Sequence, residues 1–317
     1  MLQKVSANYI AVEPGRIVYT QWLNDRGGIE ADLTVTRLSE TSFMVITSAA
    51  AAIRDMAWLR RQIPDGAHCT AIDVTSAEAC IAVMGPNARK LLQPLVSVSL
   101  SNTDFPFGHA REMELGMAMV RAHRVTYVGE LGWEIYVAAD QARHVFATII
   151  EHGADHGLRL CGLHAMDSCR MEKAYRHFGH DISDEDHVLE AGLGFAVKSD
   201  KPVGAYGDFI GRKAVAAKKQ AGLSKRFMQF QLTDPEPLVF HNEPIWRDGN
   251  IAGYLTSGAY GHHLGAAVGL GYVACAPGET ADDMLRTHYE IEIAGVRHAA
   301  TASLKPLYDP KSERIKG

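Results

Sequence analysis

The residues of this chain best suited to chemistry are a strand carboxylate, a tyrosine on the strand before it, and a later Tyr/Glu pair. Asp32 stands in a run where Ile29, Ala31, Leu33 and Val35 alternate with Glu30, Asp32, Thr34 and Thr36. That period of two puts Asp32 on the polar face of a strand whose other face is apolar. Residues 15–23 read as its hairpin partner, turning through Asn24, Asp25, Arg26, Gly27 and Gly28. With the turn centred near Arg26, Tyr19 falls across from Asp32 or Leu33, and a phenol beside a carboxylate forms a small polar site. The same pattern also fits a solvated Asp on an open sheet face. Tyr127 and Glu134 bracket residues 128–132 at two strand ends, where their side chains can converge; on these residues alone a plain hairpin end with an exposed Glu is the better fit. Arg170 falls on the helical stripe Leu163, Met166, Ala174 and Phe178. A guanidinium on a buried stripe needs an anion, supplied either by Asp167 one turn earlier or by a ligand carboxylate. His177, His180 and His187 share a loop with Asp181, Asp184, Glu185 and Asp186, but the spacing matches no metal motif and no metal site is expected. His262-His263 reads the same way.

These residues need elements to hold them. Beyond the hairpin, a third strand at 43–47 leads into a helix at 49–62. Two strands are expected around Ala71 and Ala82, a short helix from Gly85-Pro86 through Leu92, and strands at 117–125 and 133–137. Residues 141–152 and 163–178 read as amphipathic helices, and 177–190 as a polar loop. From Phe227 onward the chain changes to short strands at 227–232, 244–246, 251–256, 268–273 and 289–293, separated by turns such as Asp248-Gly249-Asn250. The expected domains are an α+β region over 1–190 built of two subdomains, a connector over 191–224, and an all-β barrel or sandwich over 225–317.

The chain has 317 residues, 47% hydrophobic and 22% charged, with net charge −5. That balance supports a large core without disulfides. No basic excess points to nucleic acid, no apolar run is long enough to span a bilayer, and the first residues lack a signal peptide's apolar segment. Five cysteines without a C-x-x-C suggest reduced, buried thiols in a cytoplasmic protein. There is no Walker A sequence, no G-x-S-x-G, and no G-x-G-x-x-G for a flavin or nicotinamide dinucleotide.

Several segments together resemble one family. Tyr-Thr-Gln-Trp-Leu-Asn-Asp-Arg-Gly-Gly-Ile-Glu-Ala-Asp-Leu-Thr-Val-Thr-Arg (19–37) resembles the folate-domain signature of dimethylglycine and sarcosine dehydrogenases. The related Gly-Gly-Ile-x-Asp-Asp-Leu of glycine-cleavage T-proteins aligns its second Asp with Asp32. Tyr-Val-Gly-Glu-Leu-Gly-Trp-Glu (127–134) is similar to the T-protein Tyr-Thr-Gly-Glu-Asp-Gly-x-Glu. Residues 167–181 resemble the family's Arg-Leu-Glu helix, and Thr256-Ser257-Gly258 with Leu270-Gly271-Tyr272-Val273 its C-terminal barrel.

The resemblance implies a T-protein-like folate-binding fold, with antiparallel sheets, flanking helices and a small C-terminal β-barrel. The implied ligand is tetrahydrofolate. Asp32 would be the catalytic carboxylate near its reactive nitrogens, Glu134 the acid on the pterin ring with Tyr127 beside it, and Tyr19 an aromatic wall. Arg170 or Arg176 would meet the glutamate tail. The implied reaction traps an iminium or formaldehyde carbon from an N-methyl amine as 5,10-methylenetetrahydrofolate, supplied by an FAD-dependent dehydrogenase partner. The alternatives are a T-protein-like aminomethyltransferase and a non-catalytic folate binder. Two departures stand out: Met166 occupies a position where T-proteins commonly carry Arg, and the family's first domain ordinarily begins several dozen residues earlier.

Overall fold

The structure is a computed structural model that describes residues 1–200 and 208–317. Three antiparallel units follow one another. The first is a sheet of β1 (Ile17–Leu23), β2 (Ile29–Arg37) and β3 (Phe43–Ile46) in that order. Its apolar face carries Val18, Trp22, Ala31, Leu33, Val35 and Val45, as the alternation predicts, and packs on Trp58 and Leu59 of α2 (Ala52–Arg61). Val5 of α1 (Leu2–Val5) completes that core. Trp22 and Trp58 stack with ring centroids 5.3 Å apart. Fully burying such a side chain contributes about 1.5–3 kcal/mol.

The second unit is a four-stranded sheet of β4 (Glu78–Met84), β7 (Gly132–Ala138), β6 (Ala118–His123) and β5 (Ala110–Leu115), in that spatial order. Ile81, Val83, Trp133, Ile135, Val120 and Ala122 turn one face into a core against α3 (Ala88–Leu92) and α4 (Ala142–Gly153). The third unit is a closed barrel. β8 (Lys225–Leu232), β9 (Pro244–Arg247), β10 (Asn250–Gly261), β11 (Ala266–Ala274), β12 (Tyr289–Ile293) and β13 (Val296–Ser303) close in the order β10-β11-β8-β13-β12-β9. Closure removes the exposed strand edges. α5 (Leu163–Glu172) lies against β10 and β11. α6 (Arg212–Ala221), inside the segment expected as a connector, packs Val215 into a core with Leu23 and Ile29. α7 (Ala281–Leu285) begins with a Thr280/Asp283 capping box, and α8 (Glu313–Lys316) ends the chain. Among the described residues no helix is long and apolar enough to cross a membrane.

Several local expectations change. Around Ala71 there is no strand; Asp73 accepts from Thr75 N in a turn, and Ile72 and Val74 are exposed without a partner strand. The run from Ala110 to Leu115 does form a strand, paired with β6. β13 also escapes the sequence pattern, because its side chains are largely exposed or half-buried and leave no apolar stripe. The helix expected to reach residue 178 stops at Glu172. Ala174 adopts φ 53° and the Tyr175 and Ala174 amides close back on the Arg170 and Met171 carbonyls, a Schellman cap built on alanine. Ala174 and Phe178 therefore leave the predicted stripe, and Leu163 is exposed. The cysteines are free as expected but not buried: Cys69, Cys80 and Cys161 are exposed, since they lie in loops or on a polar sheet face.

Candidate functional site

The hairpin register decides which side chains surround Asp32. A bulge between Trp22 and Leu23 shifts the ladder by one residue, so Gln21 pairs with Asp32, and Tyr19 with Thr34. The predicted Tyr19 position is thus corrected from directly opposite to diagonal, still on the same face. Gln21 Nε2 donates to Asp32 Oδ1 at 2.8 Å, and the Tyr19 hydroxyl lies close enough to Asp32 to act on its carboxyl. Burial raises the Asp32 carboxyl above its usual range, while Gln21, Tyr19 and the Arg176 charge pull it back. Burial, followed by the Asp32 charge, pushes the Tyr19 phenol well up, so it stays a donor. Phe195, 70% exposed, stacks on Tyr19 at 6.1 Å and extends an aromatic wall.

Glu134 sits on the polar face of the second sheet, where register places it beside Ala82 and His123, with Tyr136, Cys80 and Arg121 on the same side. Its carboxylate accepts from the Tyr136 hydroxyl at 2.7 Å. Burial raises the Glu134 carboxyl and that bond lowers it. Cys80 is solvent-exposed in part, but its thiol is set among sheet-face neighbours; the desolvation they impose, then the Glu134 charge, push it to about 11, so it stays protonated. His123 is 1% exposed, packs on Tyr136 at 4.7 Å, and is depressed by burial and then Arg121 to about 4, so it is neutral.

These two polar faces meet. Arg121, on the Glu134 face, donates to Met44 Sδ at 3.5 Å, and Met44 pairs with Thr36 on the Asp32 face. The edge of β1 is also sewn to the second sheet, by Ile17 N to Gly108 O and Ala110 N to Gly15 O. Each of these faces carries buried polar atoms without a partner. Gln21 Oε1 and Thr36 Oγ1 lie on the first face, His123 Nε2 and Glu78 Oε2 on the second, and none has a hydrogen-bond partner among the described residues. Buried polar groups are almost always satisfied, so four orphans on two meeting faces offer hydrogen bonds that a polar ligand can complete.

Tyr127 connects this place to α5. β6 ends at His123, so Tyr127 stands in the following loop rather than at a strand end. Its hydroxyl donates to Arg176 O at 3.0 Å and its ring stacks on Tyr175 at 6.1 Å. Burial raises its phenol, and the charges of Arg170, Asp181, Asp32 and Asp167 all act on it, so it lies within electrostatic range of both Asp32 and the α5 cluster. Arg176, missed as a near neighbour of Asp32, has its guanidinium lowered by burial, donates to Ala191 O and Ala174 O, and packs over Phe227 at 4.9 Å.

Arg170 is 1% exposed and answers its anion requirement internally. It donates to Asp167 at 2.6 Å, Asp181 at 2.5 Å, Tyr175 O at 3.0 Å and Ser257 Oγ at 2.9 Å. One of its five N–H groups is left over. It lines a cleft of about 330 Å³ between α5 and the barrel, with Asp167, His177, His180, Phe240 and His241. His177 and His180 pack together at 4.6 Å, whereas His187 turns away against Gly27 and accepts from Leu189 N. Among the described residues no three His, Cys, Asp or Glu side chains gather as metal ligands.

Comparison with known proteins matches residues 1–201 to the GCVT N-terminal domain and residues 225–309 to the glycine cleavage T-protein C-terminal barrel domain. The chain is 40% identical to 4-methylaminobutanoate oxidase (formaldehyde-forming) of Paenarthrobacter nicotinovorans, over 97% of this chain and 36% of that protein. It is 34% identical to human mitochondrial sarcosine dehydrogenase, over 96% of this chain and 34% of that protein. It thus spans about a third of the length of these relatives. Its fold superposes on the glycine cleavage system aminomethyltransferase T of Bartonella henselae with a TM-score of 0.83 at 26% identity, covering 98% of this chain and 81% of that one.

Proposed function

Because the chain belongs to the glycine-cleavage T-protein family, we propose that it is a tetrahydrofolate-dependent one-carbon transferase whose ligand lies between the Asp32 and Glu134 faces. The observation that carries this reading is the set of four unpartnered buried polar atoms on those two meeting faces. Tetrahydrofolate supplies two nucleophilic nitrogens, N5 and N10, that capture a carbon at the formaldehyde level as 5,10-methylenetetrahydrofolate.

Each residue then has a task. The Glu134 carboxylate, held by Tyr136, accepts from the adjacent ring N–H and amino group of a pterin, a two-point bond of the strong, charge-assisted kind. Tyr19 and Phe195 offer flat apolar walls to a flat ring. Asp32 stands at the reacting nitrogens and takes the proton released as they attack; its upward displacement brings it nearer the operating pH, where a general base works best. The cleft beside Arg170 suits the anionic glutamate tail, with the residual Arg170 N–H and the His177, His180 and His241 rings as donors. Holding ligand and carbon donor together supplies much of the remaining acceleration.

The donor we propose is an oxidised N-methyl amine, or formaldehyde derived from it. The support is that two relatives are named as a formaldehyde-forming oxidase and a sarcosine dehydrogenase. The chain carries no dinucleotide fingerprint, so the oxidation belongs to an FAD-dependent partner or to a companion segment. Aminomethyl transfer is the second reading, favoured by the match to an aminomethyltransferase over nearly the whole chain. Titration calorimetry with tetrahydrofolate, followed by its condensation with formaldehyde or with dimethylglycine plus a flavin dehydrogenase, tests the proposal. Absence of saturable tetrahydrofolate binding overturns it.

A further inference from the structure

Gln21 is fully buried, directly opposite Asp32, and only half satisfied. An ionised carboxylate can only accept, so the Gln21 amide must present its NH₂ to Asp32, as it does at 2.8 Å. The amide is planar, so that bond also fixes the direction in which its carbonyl oxygen points. Oε1 then waits, buried and without a donor among the described residues. Water-exposed glutamines have no reason to be held so; a buried acceptor left open is costly unless a partner arrives.

We propose that Gln21 is a positioning residue with two grips: its NH₂ holds Asp32, and its carbonyl accepts an N–H from the ligand nitrogens that Asp32 serves. This rests on the folate reading above, and it names how the reacting edge is held. Tetrahydrofolate presents two secondary N–H groups, at N5 and N10, to two neighbouring acceptors. Gln21 Oε1 takes one and Asp32 the other, and the pair fixes which way the nitrogens face. The Gln21 bond is also the foremost restraint on the burial-driven rise of the Asp32 carboxyl, ahead of Tyr19 and Arg176.

The test uses the whole chain as Gln21→Leu and, as an unbranched second variant that keeps the side chain's length, Gln21→Met, each checked for cooperative melting. Carbon-detected NMR of the Asp32 carboxyl in the free protein reads the first grip. Loss of the donor moves its titration upward in both variants. Binding titrations with tetrahydrofolate, 5-methyltetrahydrofolate and 10-formyltetrahydrofolate read the second. The substitution weakens tetrahydrofolate about two- to tenfold, the size of one hydrogen bond. That loss shrinks or disappears for whichever analogue lacks the contacted N–H. An unmoved Asp32 titration together with an equal loss for all three ligands overturns the proposal. If the wild-type chain binds none of the three while the Asp32 titration still moves, the folate reading fails and takes the second grip with it.

Discussion

Asp32→Asn separates stability from catalysis in a way the geometry makes quantitative. Asparagine keeps the shape and, through its carbonyl, the acceptor for Gln21 Nε2, but removes the charge. Burial is the foremost influence on Asp32, so its ionised form is disfavoured in the free protein despite Gln21, Tyr19 and Arg176. The folded-state pKa therefore exceeds the unfolded one. Between the two values the folded state binds more protons, stability falls as pH rises through that window, and the loss is complete above it. Each unit of upward displacement costs about 1.4 kcal/mol, or roughly 2 °C in Tm for each kcal/mol in a chain of this size. The expectation is a variant that melts higher than wild type at neutral pH, with the gain shrinking as pH falls toward about 4, where Asp32 begins to be protonated in the unfolded state as well. One-carbon transfer to tetrahydrofolate should meanwhile drop by about 10²–10⁴, the usual worth of a general base. Differential scanning fluorimetry from about pH 4 to pH 8 and a formaldehyde-condensation assay read the two halves. A variant less stable than wild type at neutral pH would show that Gln21, Tyr19 and the Arg176 charge together, rather than desolvation, govern Asp32. Undiminished turnover would remove Asp32 from the chemistry.

Three further substitutions carry sharp expectations. Glu134→Gln keeps the Tyr136 bond but removes the charge proposed to face the pterin, so calorimetric tetrahydrofolate affinity should fall by about 10- to 100-fold, while Tm at neutral pH rises slightly because burial disfavours the carboxylate. Ala174→Gly relieves an L-residue held at φ 53° and should stabilise the chain by about 1 kcal/mol in urea unfolding. Arg170→Met leaves Asp181, which is fully buried, without its cation and should cost about 3–5 kcal/mol in the same measurement, because the guanidinium is chiefly a brace between α5 and the barrel.

What the sequence makes legible is whatever depends on neighbours along the chain. Period-two alternation puts Asp32 on the polar face of β2, and it does so without knowledge of any other strand. What it hides depends on one-residue events and on distant partners. The Trp22/Leu23 bulge leaves no mark in composition, yet it puts Gln21 rather than Thr20 opposite Asp32 and so changes which residue holds the carboxylate. Ala174 ends α5 in a left-handed conformation without the glycine that would have signalled it. The deeper obstacle is the polar faces themselves. Asp32, Thr34 and Thr36 alternate as any solvated face does, and so do Cys80 and Ala82 on one strand and Glu134 and Tyr136 on another. Each face alone is indistinguishable from one that meets water. Contacts between distant segments, the Arg121–Met44 contact 77 residues apart and the β1-edge bonds to Gly108 and Ala110 among them, bring the two together and leave Gln21, Thr36, His123 and Glu78 with buried atoms that water in bulk no longer reaches. A polar face becomes a ligand face when a second polar face closes over it, and that is a property of tertiary packing that no window along one strand contains.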